Sequence, residues 1–350
     1  LLNNFNNHNR KIMDIDIASK LLPKENTDIL EKAGIKVIPT GLKHGTVTAV
    51  LNKIFFEITT LRRDISMDGR HAVVEFSKDW TEDAKRRDFT INALYLGLDG
   101  TVYDPLGGYA DIKASRVVFI GDADKRIRED ALRILRFYRF SSDLSISAID
   151  EDGMLATIKH KFLLETLSGE RVHYELKKII ISERASHIIP LLAEIGLLQV
   201  ILPQYQCYNS FIRYVKLENL FTLNNVMGRF FCLVPSEHKT IIEISRKLKL
   251  SNKEKNQLIS YSKPYKITDL SQKNIRRELY YFGKNIVIHN LIYLNLLNVK
   301  TLKYINEYLI PKVPFSGKDL VKEGWLEGRD MGDELKRREK IWVENDFKVN

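Results

Sequence analysis

The sequence is poor in cysteine and has no long hydrophobic run. Only Cys207 and Cys232 occur in 350 residues, which excludes a disulfide framework and a four-thiolate zinc site. The most apolar stretch, residues 188–203, carries Glu194 in its middle, so the sequence predicts no membrane span. We also expect no signal peptide. We therefore expect a protein in the reducing cytoplasm, with no membrane contact and no disulfide-linked partner.

Several common ligand-binding motifs are also missing. The chain holds no Gly-x-x-x-x-Gly-Lys-Ser/Thr phosphate loop, no Gly-x-Gly-x-x-Gly dinucleotide turn and no His-Glu-x-x-His zinc site. It has no Gly-x-Ser-x-Gly nucleophile elbow either. The sequence therefore lacks the signatures of these phosphate, dinucleotide, zinc and serine-nucleophile sites.

The composition fits a folded protein with an uneven charge. Apolar residues make up 44% and charged residues 29%, so 350 residues can build two or three domains with sizeable cores. Residues 1–150 hold 23 Lys and Arg against 22 Asp and Glu, whereas residues 151–350 hold 32 against 23. The basic excess indicates either a polyanionic partner for the second part or simply a soluble basic surface.

The hydrophobic pattern changes near residue 120. Before it, short runs rich in β-branched and aromatic residues predict strands at 11–18, 53–60, 71–76, 92–95 and 101–103. After Asp122, helical spacing predicts helices at 125–140, 170–181 and 243–249. Ser251 and Ser316 stand where capping residues would begin two more. We expect an α/β head followed by an all-helical body.

Asp14 and Asp16 form the first candidate site. If Asp14-Ile15-Asp16 is a strand, both carboxylates lie on the same face, roughly 7 Å apart. Two like charges there are unfavourable unless a cation or solvent screens them. Such a pair is either a divalent metal site or a solvated strand end, and the second is commoner for an isolated Asp-x-Asp.

Glu57 adds a carboxylate within the β-prone run 55–60. It lies either on the wet face of an antiparallel strand or at a functional position. If its strand lies beside the first, Glu57 can complete a three-carboxylate cluster for two metal ions.

A second candidate site spans residues 86–93. Arg86 and Arg87 supply guanidinium groups for phosphate, Asp88 an acceptor for a ribose hydroxyl, and Asn92 an amide for other polar edges. The alternative is the capped start of a helix or strand, flanked by surface charge.

A third candidate lies on the predicted helix 125–140. Asp130, Arg133, Arg136 and Arg139 recur every third residue and would form one slowly drifting stripe. An exposed face with a Glu129–Arg133 ion pair is the alternative. The apolar residues between them leave little of the helix free to face water, so we favour phosphate or base edges as the arginines' acceptors.

Together these segments resemble the class II tRNA nucleotidyltransferase and bacterial poly(A) polymerase family, in the DNA polymerase beta superfamily. The resemblance covers nearly the whole chain. Asp14-Ile15-Asp16 is similar to the metal-binding Asp-x-Asp of the family, and residues 56–62 to the strand with its third carboxylate. Residues 68–90 resemble the flexible loop and ribose-reading motif, and residues 129–133 the Glu-Asp-x-x-Arg element. Residues 168–172 and 316–320 also match family segments.

The resemblance implies an α+β fold with three parts. A polymerase-beta-type nucleotidyltransferase head of mixed sheet and helices would span residues 1–120. A neck whose helices recognise the nucleotide base would span 121–185, and a helical body and tail that bind tRNA would span 186–350.

It also implies a two-metal mechanism. Two Mg²⁺ ions on Asp14, Asp16 and Glu57 would activate an RNA 3′-hydroxyl and neutralise the departing pyrophosphate. The nucleotide-binding set would be Arg86, Arg87, Asp88, Asn92, Asp130, Arg133, Arg136 and Arg139. Within it, Asp130 and Arg133 would read the base of CTP or ATP without a template. The acceptor arm of tRNA would be the RNA partner.

One departure from the family keeps three functions open. The family places Gly-Gly-x-Val-Arg-Asp just ahead of a Leu-Leu pair, and this sequence starts at Leu1-Leu2. CCA addition to tRNA is favoured over poly(A) addition by Ala131, where poly(A) polymerases tend to carry Pro, and over CC-only addition by the intact loop 62–83. The alternatives are poly(A) or A-only addition, and a truncated, non-catalytic RNA-binding paralogue.

Overall fold

The computed structural model describes residues 15–68, 71–144, 149–205, 207–263 and 269–348. Asp14, the Leu1-Leu2 pair and the loop residues Gly69 and Arg70 lie outside these ranges. The chain divides into two compact units, residues 1–203 and 204–350.

A four-stranded mixed sheet forms the first part of unit 1. Its strands are β1 (Asp16–Ser19), β2 (Lys36–Gly41), β3 (Thr46–Leu51) and β4 (Ile54–Thr60), in the order β1-β4-β3-β2. β1 is parallel to β4, and the other pairs are antiparallel. Helix α1 (Pro23–Lys32) provides the crossover from β1, and its Leu30 packs on a core of Val47, Ala49 and Ile58.

Two hairpins follow the sheet. The first pairs β5 (Arg62–Asp68) with β6 (His71–Phe76), and the second pairs β7 (Tyr95–Leu96) with β8 (Val102–Tyr103). Helix α2 (Trp80–Lys85) and a 3₁₀ turn (Thr90–Asn92) lie between them. The strands predicted at 53–60, 71–76 and 101–103 are thus confirmed, but Asn92 belongs to the 3₁₀ turn and not to a strand.

Helices make up the rest of unit 1. They are α3 (Gly108–Lys113), α4 (Ala123–Glu129), α5 (Leu132–Leu144), α6 (Glu151–His160), α7 (Gly169–Ile181), α8 (Ala185–Glu194) and α9 (Leu197–Ile201). The single helix predicted over 125–140 is wrong, because the backbone at Asp130 is extended, with φ −151° and ψ 105°. The Asp130 carboxylate accepts the N–H of Leu132 at 3.1 Å and so caps α5. Asp130 therefore precedes the helix that carries Arg133, Arg136 and Arg139.

Unit 2 is helical throughout its described residues. Its helices are α10 (Asn209–Leu220), α11 (Val226–Phe231), α12 (His238–Lys247), α13 (Asn252–Ser262), α14 (Gln272–Tyr293, broken at Gly283), α15 (Val299–Glu307), α16 (Gly317–Lys322) and α17 (Arg329–Glu344). Ser251 and Ser316 begin α13 and α16 in capping boxes, as predicted. Within the described ranges, no helix is long and apolar enough to cross a membrane.

Candidate active site

Asp16 and Glu57 lie side by side on the mixed sheet. The parallel register pairs Asp16 of β1 with Glu57 of β4, and neighbouring strands are about 4.8 Å apart. Because side chains alternate along a strand, both acids lie on the face opposite the Val47–Ile58 core and α1. Both are exposed. Neither carboxylate has a hydrogen-bond or ion-pair partner within the described part of the chain, so their oxygens are free to bind a cation.

The third predicted carboxylate, Asp14, lies outside the described residues. Among the residues that are described, no group of three His, Cys, Asp or Glu is placed to hold a metal. The donor set that is visible consists of two hard carboxylates on one sheet face, and such oxygens are the ligands that Mg²⁺ prefers. The role of Asp14 stays a prediction.

Asp83 organises Arg86 and Arg87. This aspartate on α2 is only 1% exposed and accepts bonds from Arg86 Nε at 2.9 Å, Arg87 Nη2 at 3.1 Å and the Tyr95 hydroxyl at 2.7 Å. The backbone N–H of Arg62 donates a further bond to this carboxylate at 3.2 Å. Burial works to raise the pKa of Asp83, but Arg86, Tyr95 and Arg87 outweigh it and hold that pKa below its usual range. The two arginines are thereby fixed beside the start of β5.

Asp88, Asn92 and Arg136 come together although 48 residues separate the first from the last. Asp88 accepts bonds from Arg136 Nε at 2.6 Å and Asn92 Nδ2 at 2.9 Å, and it is almost fully buried. Burial opposes ionisation, but Arg136 and Asn92 lower the pKa of Asp88 below its usual range. The structure thus joins three predicted nucleotide-binding residues from two segments.

Arg139 lies in a deeper position than Arg136. Its Nη1 forms bonds of 2.8 and 3.1 Å to both oxygens of Glu175, a buried residue of α7, and its guanidinium covers the Phe140 ring. The Arg139 side chain is 11% exposed, against 31% for Arg136. Arg136 is therefore the more accessible of the two to an incoming phosphate.

Asp130 is held by a partner from another helix. Nη2 of Arg171 on α7 lies 2.8 and 3.1 Å from the two carboxylate oxygens of Asp130. Together with the bond from the Leu132 N–H, these contacts fix the carboxylate at the junction of α4 and α5. The side chain remains partly exposed.

Arg133 is nearly buried and pairs with Glu129, as the alternative interpretation of this segment expected. Its Nη1 donates to Glu129 Oε2 and to the carbonyl of Arg126, both at 2.8 Å. The ion pair therefore forms, but not on an exposed helix face, because Leu132, Ile134 and Leu135 are buried around it. Since one nitrogen takes both acceptors, Nε and Nη2 of Arg133 have no hydrogen-bond partner in the described part of the chain.

Sequence reasoning gave no role to four residues that shape this site: Asp83, Arg126, Arg171 and Glu175. Asp83 lies four residues before Arg87, so helical spacing could have indicated their pairing. Glu175 lies 36 residues from Arg139 and Arg171 lies 41 from Asp130, and local patterns carry no signal for such distances.

Comparison with known proteins identifies the family. The profile described as "Poly A polymerase head domain" matches residues 7–118, and "Probable RNA and SrmB- binding site of polymerase A" matches residues 148–208. The "CCA tRNA nucleotidyltransferase 1, mitochondrial" of Danio rerio is 34% identical over 96% of this chain and 80% of its own length. This chain belongs to the class II CCA tRNA nucleotidyltransferase family.

Other members of the CCA tRNA nucleotidyltransferase family agree. A "CCA-adding enzyme" from Geobacillus thermodenitrificans (strain NG80-2) is 41% identical over 54% of this chain and 46% of its own length. The crystal structure of the Bacillus stearothermophilus CCA-adding enzyme in complex with CTP superposes with a TM-score of 0.75 at 26% identity, covering 96% of this chain and 85% of that one. These matches confirm the predicted α+β fold with a nucleotidyltransferase head and helical regions. The chain is an enzyme of the nucleotidyltransferase type, and family members are metal-dependent.

Proposed function

We propose that this enzyme adds C, C and A to the 3′ ends of tRNA, with CTP and ATP as the nucleotide substrates. The observation that carries the proposal is the register of β1 and β4, which sets Asp16 beside Glu57 on the open face of the sheet. Family membership supports the reaction class, and the paired arginines and aspartates of unit 1 supply groups for a nucleoside triphosphate.

Mg²⁺ is the metal that these ligands favour. Asp16 and Glu57, with the predicted Asp14, would hold it through carboxylate oxygens. When bound, the metal would lower the pKa of the attacking RNA 3′-hydroxyl and neutralise charge on the transferred phosphate. The chain's own contribution is to hold the carboxylates together on a sheet and to orient the triphosphate by charge.

Arg87 and Arg136 are the groups best placed to bind phosphate or ribose oxygens. Each keeps about a third of its side chain exposed while one edge is anchored to a buried aspartate, Asp83 or Asp88. An anchored guanidinium loses less freedom when it binds an anion, which favours affinity. Arg86, Asn92 and Arg139 support this set through the contacts described above.

Base selection would fall to Asp130 and Arg133. C and A both present an amino donor beside a ring-nitrogen acceptor on the Watson–Crick edge, whereas U and G reverse that pattern. A fixed carboxylate accepts from the amino group, and the free Nε and Nη2 of Arg133 donate to the acceptor. Protein side chains can then choose the base without a template.

The acceptor arm of tRNA would bind through its phosphates. Residues 204–350 hold 26 Lys and Arg against 16 Asp and Glu, whereas residues 1–203 hold 29 of each. The whole positive excess therefore lies in unit 2, which suits it to a polyanion. The boundaries at 120 and 185 and the cytoplasmic location stay predictions.

Incorporation assays test the proposal. Purified protein is incubated with tRNA ending before CCA, after the first C and after the second C, and given CTP and ATP singly and together. We expect CTP alone to extend the first two substrates by two and one residues, and ATP alone to extend only the third, by one. Long A tails on all three tRNA substrates would contradict CCA addition and support poly(A) addition. Binding of tRNA without incorporation at high Mg²⁺ would identify a non-catalytic paralogue.

A further inference from the structure

Arg126 is a buried arginine that lies between two parts of the candidate site. It is on α4, and its side chain points away from solvent, with only 8% of the residue exposed. Its Nη2 donates to the backbone carbonyl of Arg86 at 2.6 Å and also to that of Arg87. One guanidinium therefore fixes the peptide segment that carries both predicted phosphate-binding arginines.

The same residue also fixes the predicted base-reading arginine. Arg126 Nη1 forms an ion pair with Glu129, and Arg133 Nη1 donates both to that Glu129 and to the Arg126 carbonyl at 2.8 Å. Arg133 is thus held by two acceptors that belong to one turn of α4. The side chain of Arg126 orients the first acceptor, Glu129, and its backbone is the second.

This arrangement needs the shape of a guanidinium. A planar fork can donate in two directions at once, to carbonyls on one side and to a carboxylate on the other, whereas a lysine ammonium on its flexible stem cannot hold both with the same geometry. Two positive charges, on Arg126 and Arg133, share the single Glu129 carboxylate. That charge balance is favourable only while the three groups keep their positions, because an unpaired buried charge is costly.

We infer that Arg126 is a positioning residue for nucleotide selection, which holds the base-reading Arg133 in register with the Arg86-Arg87 segment. The inference rests on the proposed function and extends it to a residue that need not touch the substrate. A nucleotide whose base does not bind Arg133 would then not place its triphosphate against Arg86 and Arg87. Nucleotide selection would then depend on the distance between Arg133 and the Arg86-Arg87 segment as well as on the hydrogen bonds that each makes.

The test compares CTP with UTP in incorporation into tRNA that ends before CCA. We expect Arg126→Lys to lower the ratio of kcat/KM for CTP to that for UTP by roughly ten- to a hundredfold, the worth of one hydrogen bond to a charged group. Arg128→Lys is the matched control, because Arg128 lies on the same helix but is exposed. It should leave the ratio unchanged.

Glu129→Gln provides a second route, since it removes the shared charge and keeps the side-chain volume. We expect the same loss of discrimination, and thermal unfolding shows whether each variant folds. A merely structural role would lower kcat/KM for both nucleotides by one factor and leave the ratio intact, and that result in the folded variants overturns the inference. A wild-type protein that incorporates neither CTP nor ATP would instead refute the proposed function, and this inference with it.

Discussion

At the scale of single residues, four carboxylates of the candidate site fall into two kinds. Asp16 and Glu57 are exposed on a sheet face, and their oxygens have no partner among the described residues, whereas Asp83 and Asp88 are buried and already accept bonds from arginines. A carboxylate with free oxygens is suited to a metal, and one whose oxygens are occupied is suited to orienting a cationic side chain. The surroundings, and not the residue type, decide which role an acid takes.

Removing a charge from the exposed pair should abolish most activity without unfolding the protein. We expect Asp16→Asn and Glu57→Gln each to lower kcat for CTP incorporation at least about a hundredfold, because each removes a hard ligand from a metal worth several kcal/mol to the transition state. Glu31→Gln, which changes an exposed acid on α1, should be neutral. Near-normal kcat in both site variants, with folding verified by circular dichroism, would contradict a role for this pair.

Removing the charge of Asp83 should act on stability in a pH-dependent way. Asp83→Asn should lower the free energy of unfolding of unit 1 by about 2–4 kcal/mol at pH 7, because Arg86 and Arg87 lose a buried partner. The pKa of Asp83 is lower in the folded protein than its ordinary value of 3.8. The stabilisation is therefore complete above about pH 4 and is lost as the pH falls through the lower, folded pKa.

Urea unfolding followed by Trp80 fluorescence measures this effect. The ring centroids of Trp80 and Tyr95 are 4.7 Å apart, and the Tyr95 hydroxyl donates a hydrogen bond to Asp83. Trp80 fluorescence therefore reports on the region that the substitution changes. The chain has three tryptophans, and combining Trp325→Phe with Trp342→Phe leaves only Trp80. A difference between wild type and Asp83→Asn that stays constant from pH 7 to pH 3 would show that the ionised carboxylate contributes nothing.

Where the signal was local, the sequence predicted the position of single residues, while their roles stay predictions. The alternating pattern at residues 11–18 and the β-prone run around Glu57 predicted strands that carry Asp16 and Glu57. The register of the two strands then places these acids side by side. The partners of the arginines were not predictable in this way. Glu175 and Arg171 meet Arg139 and Asp130 through the packing of α7 on α5, which no periodicity encodes.

At the scale of elements, the start of α3 controls the turn that carries Asn92. The Asp104 carboxylate accepts the N–H groups of Gly108 and Tyr109, both at 2.9 Å, and so caps this helix. Gly107 has a φ of +76°, and a Cβ on Gly108 would lie 2.1 Å from the carbonyl oxygen of Thr90. The two glycines are therefore needed for different reasons, one for backbone conformation and one for close approach.

Alanine at these two glycines should have unequal effects. Gly107→Ala should cost about 1–2 kcal/mol of stability through backbone strain alone, since nothing lies within 4 Å of the new Cβ. Gly108→Ala should cost about 3 kcal/mol, and should also raise the KM for CTP several-fold, because the Thr90–Asn92 turn must move. Urea unfolding and initial rates measure both. An equal KM for the two variants would argue against a role for this turn in nucleotide binding.

Elements were predictable where capping or turn residues are distinctive. The capping boxes at Ser251 and Ser316 were recognised, but the hairpin between β3 and β4 was not. Its turn uses Asn52 and Lys53, both with positive φ, where Asn-Gly would have been the recognisable signal. The sequence did not predict the break at Asp130, because the helical spacing of apolar residues continues across it although the backbone there is extended.

At the scale of the whole molecule, charge is divided between the two units. Unit 1 is neutral overall and carries the candidate site, whereas unit 2 holds the entire excess of ten positive charges. Several arginines of unit 1 are paired with buried acids, as at Asp83 and Glu175. The excess of cations over acids in unit 2 leaves it with a net positive charge that attracts phosphates.

Neutralising cations in unit 2 should weaken the salt dependence of tRNA binding. Lys239, Arg246 and Lys253 are exposed on α12 and α13, and replacing all three with Gln should reduce the slope of log Kd against log salt concentration by about 1 for each that contacts a phosphate. The matched control replaces Lys24, Lys32 and Lys36, which are exposed in unit 1. Equal slopes for the two triple variants, measured by filter binding at several salt concentrations, would refute the assignment of tRNA binding to unit 2.

The pairing of β1 with β4 also constrains how this protein can evolve. Side chains on a strand alternate between faces, so inserting one residue into β4 before Glu57 would turn that acid toward α1 and bring Ile58 into water. Two inserted residues would restore the faces but move Glu57 two positions, about 6.6 Å, along the strand from its place opposite Asp16. An odd length change in this strand therefore disrupts the core as well as the site, whereas an even one leaves the core facing inward and breaks only the Asp16–Glu57 pairing. Thermal unfolding together with CTP incorporation distinguishes the two outcomes.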